Sequence, residues 1–208
     1  MPQHVTLLGD LVGSRRAEDR QSVHDEVTGA LAKVSADHRG STLAITAGDE
    51  FQGTFSHLGE AIAAAFAVRM LLEPRIGVRF GIGRGEVIVL DAEADTEDGP
   101  GWWAARSAIE YVEASAGQTG MGGLRTAYEA AADDPVQPAV NAALVCQDLV
   151  LDSFDERTWT ILRGTHRGMT QQQIADQLGI SRQAVQQRRA SSGIPMVLEA
   201  AAHLGKLR

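Results

Sequence analysis

Two short segments put carboxylates where the chain is about to turn. Gly9-Asp10-Leu11-Val12-Gly13-Ser14 places an acid after an apolar run and follows it with small residues whose backbone N–H groups can face a phosphate. Ala47-Gly48-Asp49-Glu50 places two more acids at the tip of an expected hairpin. If the two strands are neighbours, Asp10 and Asp49 converge, and two carboxylates with triphosphate oxygens make a suitable Mg2+ site. Gly13 and Ser14 in the loop and Glu50 at the tip are then the nucleotide-contacting candidates. Gly-Asp pairs are also common turn formers, so neither segment alone separates a site from a turn.

A second constellation lies toward the other end of the chain. Between Met169 and Arg189, Thr170 is placed to cap a helix with Ile174, Ala175 and Leu178 on its inner face. Gly179 permits a tight turn, and Ser181 caps a second helix with Ala184 and Val185 inward. This is helix-turn-helix grammar. The outer side carries Arg182, Gln183, Gln186 and Gln187, with Arg188 and Arg189 following. Arg and Gln can pair with guanine and adenine edges, while Arg and Ser181 can hold phosphates. A three-helix protein-interaction module would have the same shape; the absence of an acid from Ser181 to Arg189 favours DNA.

The elements that position these residues follow from hydrophobic spacing. His4 to Leu8 reads as a buried strand, and residues 17–36, with Val23, Val27, Leu31 and Val34, as an amphipathic helix. Thr42 to Thr46 and Phe51 to Phe55 form a hairpin, and residues 57–72 a helix rich in Ala and Leu. A second hairpin is expected from Gly77 to Ile82 and Glu86 to Leu90, turning at Gly83-Arg84-Gly85. Asp91 to Gly99 is an acidic loop, and Pro100 opens a helix to Ala114 at a first-turn position where its missing N–H costs nothing. Residues 117–123 read as loop or irregular strand, and Pro138 to Leu151 as a helix leading into the tail. The order β-α-β-β-α-β-β-α implies an α+β sandwich with helices on an antiparallel-rich sheet.

Taken in order, Leu8 to Ser14, Ile45 to Phe51, Arg79 to Val87 and Gly99-Pro100 through Arg106 resemble the catalytic domain of class III adenylate and guanylate cyclases, over roughly residues 4 to 115. The Ala47 to Phe51 turn is also similar to that of diguanylate (GGDEF-type) cyclases, and the whole chain resembles the SatD family. The tail resembles the helix-turn-helix of sigma-factor and LuxR-type regulators. The resemblance implies a ferredoxin-like cyclase-type sandwich over residues 1–150, followed by a small all-α helix-turn-helix domain over 151–208. It implies Asp10 and Asp49 as metal ligands, Arg106 as the transition-state arginine, a nucleotide or cyclic nucleotide ligand, and a homodimer. Two positions depart from the cyclase pattern: Ile45 stands where a purine-reading lysine is expected and Trp102 where a transition-state asparagine is. Losing such a positioned polar group costs about two to three orders of magnitude in rate, so cyclisation should be slow or absent. Trp102 and Trp103 can instead give a base an aromatic face, close a dimer interface, or fill core under their helix.

Composition narrows the setting. In 208 residues, 44% are apolar and 22% charged, which allows a packed core and excludes wholesale disorder. The single cysteine, Cys146, forms no intrachain disulfide and no thiolate zinc cluster. The first ten residues lack a leader's basic and apolar regions, so a cytoplasmic protein without a membrane partner is expected. Residues 1–152 carry 11 basic and 23 acidic side chains but residues 153–208 carry 8 and 4, so DNA contact should fall to the tail. The expected function is a nucleotide-responsive, DNA-binding transcriptional regulator with a degenerate cyclase-like sensor. The alternative is an active nucleotide cyclase or related triphosphate-processing enzyme with a DNA-targeting tail.

Overall fold

Alternation of apolar residues in three segments builds the centre of the molecule. The computed structural model describes residues 4–13, 19–37, 41, 43–91 and 96–208. Strand β1 (His4–Leu11) lies between β3 (Glu50–Phe55) and β4 (Val78–Gly85), antiparallel to both. Strand β2 (Ala44–Ala47) pairs with the outer side of β3, and β7 (Thr126–Ala130) runs parallel to β4. The order β2-β3-β1-β4-β7 is the ferredoxin-like order, extended by one parallel strand. Between these strands run α1 (Arg20–Asp37), α2 (Leu58–Leu72), α3 (Pro100–Ala116) and, after β7, α4 (Gln137–Asp152).

Side chains alternate across a strand, so odd and even positions of β1 face opposite layers. Val5, Leu7 and Leu11 join Phe51, Phe55, Phe80 and Ile82 in the main core, under α1, α2 and α4. The even positions, Thr6, Leu8 and Asp10, face α3. Leu8 packs there with Trp102, Ala105 and Ile109, and the Thr6 hydroxyl donates to the Gly101 carbonyl at 2.9 Å.

Glycine spacing decides how close α3 can come. A Cβ on Gly81 would lie 2.1 Å from the Ala105 carbonyl oxygen, and one on Gly83 would lie 2.1 Å from that of Gly101. The helix backbone therefore rests directly on a groove in β4. This corrects the expected second hairpin, because Gly83-Arg84-Gly85 is strand and not turn. The segment after it instead forms a separate ribbon of β5 (Ile88–Asp91) and β6 (Thr96–Asp98). Residues 117–123, left open between loop and irregular strand, are turns, and β7 follows them.

Four more helices complete the chain: α5 (Glu156–His166), α6 (Gln171–Leu178), α7 (Arg182–Ser191) and α8 (Ile194–Leu204). Their apolar cluster includes Phe66 and Met70 of α2. The Arg163 guanidinium donates to the carbonyls of Met70 and Glu73, while Leu204 enters the main core. Among the described residues no helix is long and apolar enough to cross a membrane.

Because the atoms facing Gly83 are backbone, Gly83→Ala should destabilise the protein by about 1 to 3 kcal/mol through overpacking. Gly29→Ala, exposed on α1 with open space around it, should instead stabilise by up to about 1 kcal/mol by the helix propensity difference. Urea unfolding of both variants checks the contrast; equal effects would contradict the close contact.

Candidate functional site

Register brings three charged residues into one row. Asp10 pairs across β1 with Glu50 of β3 on one side and with Arg79 of β4 on the other. All three stand on the face turned toward α3. That helix, seated on the β4 glycines, adds Arg106, Glu110 and Glu113 over the row. Together with Asp49 and Gly13 they line a cleft of about 650 Å3. Gly48, in the β2–β3 turn, has φ +64°, a conformation that glycine adopts without the clash of a Cβ.

The pairing within the cleft is specific. Arg106 makes a two-pronged contact with Glu50, at 2.7 and 2.8 Å. Arg79 contacts the Asp10 carboxylate through Nη2 and the Glu113 carboxylate through Nη1 at 3.1 Å. Burial pushes the Asp10 carboxyl above its ordinary value; Arg79 works against that rise, while Asp49 and Glu113 add to it. The hydrogen bonds that Arg106 donates to Glu50 hold its guanidinium more firmly protonated still.

A second hollow of about 490 Å3 adjoins the cleft and shares Leu11 and Asp49 with it. Its apolar wall is Leu11, Val23, Val27 and Ile45, and Arg20, Gln21 and His24 of α1 supply polar groups. Ile45 thus belongs to a greasy wall beside the acids. Trp102 packs into the core beneath α3, whereas Trp103 is exposed and donates its indole N–H to Asp98 at 2.8 Å.

Of the residues expected from sequence, Asp10, Asp49, Glu50, Gly13 and Arg106 are brought together in the cleft. Ser14 lies outside the described residues. The carboxylate oxygens of Asp10 and Asp49 suit a hard cation, and the position beside Asp10 already holds a cationic group, the Arg79 guanidinium. Among the described residues no group of three or more His, Cys, Asp or Glu could hold a metal, so ligand phosphates and water would have to complete its shell. Sequence reasoning missed Arg79. Its signal was available only once β1 and β4 were paired, since Arg79 stands directly across from Asp10.

In the tail, the Ser181 hydroxyl accepts from the Ala184 N–H at 3.1 Å and Gly179 has φ +64°. Arg182, Gln183, Gln186 and Gln187 are exposed on α7. Arg188 differs: it pairs with Asp155 at 2.6 Å and donates to the Thr158 hydroxyl. Arg189 is partly buried, and among the described residues its Nε has no acceptor.

The fold is therefore an α+β protein of ferredoxin-like strand order with an acid-and-arginine cleft between sheet and helix. The chain belongs to the SatD family, which it matches over residues 4–206. No curated protein matches it. Among solved structures it is similar to an adenylate/guanylate cyclase/hydrolase from Silicibacter pomeroyi, at 20% identity over 50% of this chain and 67% of that one, with a TM-score of 0.42. The guanylate cyclase domain of RhGC from Catenaria anguillulae, solved with GTP, matches at 13% identity over 52% and 72%, TM-score 0.43. A regulator of polyketide synthase expression from Bifidobacterium adolescentis matches at 12% identity over 98% and 84%, TM-score 0.30. At scores this low the fold assignment rests on strand order and register themselves.

The Thr158 hydroxyl and N–H and the Arg188 guanidinium hold the Asp155 carboxyl down, to about 2. A depressed carboxyl stabilises the fold above its ordinary range and loses that contribution as pH falls through the folded value. Parent stability should therefore decline between about pH 4 and pH 2 by more than that of Asp155→Asn, which keeps a helix-capping oxygen without the charge. Urea unfolding at both pH values checks this, and parallel declines would remove Asp155 from the account.

Proposed function

We propose that the cleft binds the phosphates of a nucleoside triphosphate together with Mg2+, in a site of the cyclase type. The observation that carries this reading is the row Glu50–Asp10–Arg79 beneath Arg106. It places hard oxygens and guanidinium groups on one floor, the two donor classes that a metal–polyphosphate pair needs. Asp10 and Asp49 would hold the cation, with Gly13, Ser14 and Glu50 toward the nucleotide and Arg106 toward the phosphates. The adjoining hollow, apolar on one wall and polar on another, fits a nucleobase. Turnover to a cyclic product is expected to be slow. Ile45 offers no hydrogen bond to a base edge, and Trp102 is committed to core packing.

A second function for the same chain is supported by α7. Arg182, Gln183, Gln186 and Gln187 are exposed without an acid among them, at the start of a helix entered from a tight turn. On this reading residues 151–208 are a helix-turn-helix module bound to DNA, and Ser181 lies toward a phosphate. Because one such module reads only a half-site, the regulator would act as a homodimer. Arg188 and Arg189 follow on the same helix as further candidates for phosphate contact. With Arg188 engaged by Asp155, Arg182 is the better phosphate residue.

Calorimetry with Mg2+ and ATP or GTP tests the cleft. Asp10→Asn and Asp49→Asn should each weaken binding by about tenfold or more, the loss of one charged contact, while leaving the fold intact. Binding equal to the parent in both variants would refute the site. The same samples should yield little cyclic product; rapid production abolished by Asp49→Asn would make the protein a working cyclase.

For the tail, binding of fragments from the protein's own promoter region is measured at two salt concentrations. Gln183→Ala and Gln186→Ala should each cost about 1 to 3 kcal/mol at particular base pairs. Arg182→Ala should weaken all sequences alike and reduce the salt dependence. No binding at low salt, with or without nucleotide, would leave α7 as part of a protein-interaction module.

A further inference from the structure

Arg79 is the least expected member of the cleft, and its contacts set it apart from Arg106. Arg106 is 46% exposed and spends two donors on one carboxylate. Arg79 is 14% exposed, stretches between Asp10 and Glu113, and keeps its Nε buried without an acceptor among the described residues. A guanidinium with an unused buried donor is incompletely satisfied where it lies.

Asp10 meets Arg79 from β4, with Asp49 nearby from the β2–β3 turn and Glu113 from α3. Among the described residues the guanidinium paired with Asp10 is that of Arg79, and its other terminal nitrogen is shared with Glu113. A doubly charged ion beside Asp10 would attract that carboxylate more strongly than the single charge of a guanidinium does. Glu113, mostly exposed at the cleft mouth, gives Arg79 a carboxylate to stay on when Asp10 is taken.

We propose that Arg79 is the resident counter-ion of Asp10 and that a divalent cation reaches Asp10 and Asp49 by displacing its guanidinium, so that Arg79 sets the cation affinity of the cleft. The inference rests on the reading of this cleft as a cation-and-phosphate site. It adds that the empty and loaded states differ in which cation Asp10 holds.

The test uses the full chain and Mn2+ alone, with no nucleotide, followed by calorimetry. Arg79→Gln removes the competing charge and keeps much of the side-chain bulk. It should tighten Mn2+ binding by about tenfold or more, because a unit charge at ion-pair distance in a partly buried site is a strong competitor. Arg79→Lys keeps the charge and should stay within about threefold of the parent. Arg79→Gln binding no tighter than the parent, or Arg79→Lys gaining as much as Arg79→Gln, overturns the proposal. An independent readout needs no folded Arg79→Gln. In the parent, the Arg79 Nε–H nuclear magnetic resonance signal, assigned by its loss in Arg79→Lys, should shift saturably as Mg2+ is added. A signal that does not move overturns the displacement.

The two readings fail separately. Nucleotide binding that depends on Asp10 but an Mn2+ affinity indifferent to Arg79 would sink this inference alone. An Arg79-dependent Mn2+ site with no nucleotide binding would sink the proposed function alone.

Discussion

The arrangement depends on a helix backbone lying against a strand with no Cβ atoms in between. Gly81, Gly83 and Gly85 occupy alternate positions on one face of β4, and α3 settles onto them with its carbonyl and amide groups. Larger residues there would lift the helix by a side-chain layer and carry Arg106, Glu110 and Glu113 away from the row formed by Glu50, Asp10 and Arg79. Register matters equally, because sliding β1 by one residue would turn Asp10 into the apolar core and bring Gly9 or Leu11 to the cleft. Cleft and core are thus two faces of the same strand pairing.

Beneath the sheet, a different set of charges is purely architectural. Arg69 of α2 is buried between Asp148 of α4 and Glu73, and Asp148 also accepts from the N–H groups of Arg125 and Thr126 at 2.8 Å each. Every partner is satisfied, which is the condition under which a buried ion pair is tolerated. It fixes α2 against α4 and the start of β7. The later helices grip α2 as well, at its end through Arg163 and at its beginning through the Gly59 N–H, which donates to the Leu207 carbonyl at 3.0 Å. The helix that separates the two apolar clusters is therefore held from both sides.

Legibility in the sequence followed the strength of local signals. The apolar run of β1, the β-type run of β3, the spacing of Val23, Val27, Leu31 and Val34, and the caps at Thr170 and Ser181 are local patterns, and each produced the expected element. Glycine misled the reading in one place, because Gly83 and Gly85 are equally good as a turn and as a groove for a helix. The choice is made by α3, which lies more than a dozen residues downstream. Strand β7 was missed for a similar reason: five residues after a run of turns gain strand character only from a parallel neighbour. Asp10, Asp49, Glu50 and Arg106 were legible as chemistry, whereas the Arg79–Asp10 and Arg106–Glu50 pairs exist only after the strands and α3 have assembled.

The two departures from the cyclase pattern read differently once their surroundings are known. Trp102 is not a surface residue that happens to lack an amide. It packs against Leu8, Ala105 and Ile109, one helical turn before Arg106, and helps seat α3 on the sheet. Restoring asparagine at position 102 would leave a polar group among these side chains and remove packing from the helix that carries Arg106. Ile45 likewise continues a wall with Leu11, Val23 and Val27, where a lysine ammonium would meet apolar surface before any base. Neither change is a missing part in an otherwise unchanged site, because each is matched by its neighbours. On the proposed reading, that matching suits a cleft whose acids and arginines hold charge, and its cost falls on the chemistry that needs an extra polar group at the moment of bond breaking.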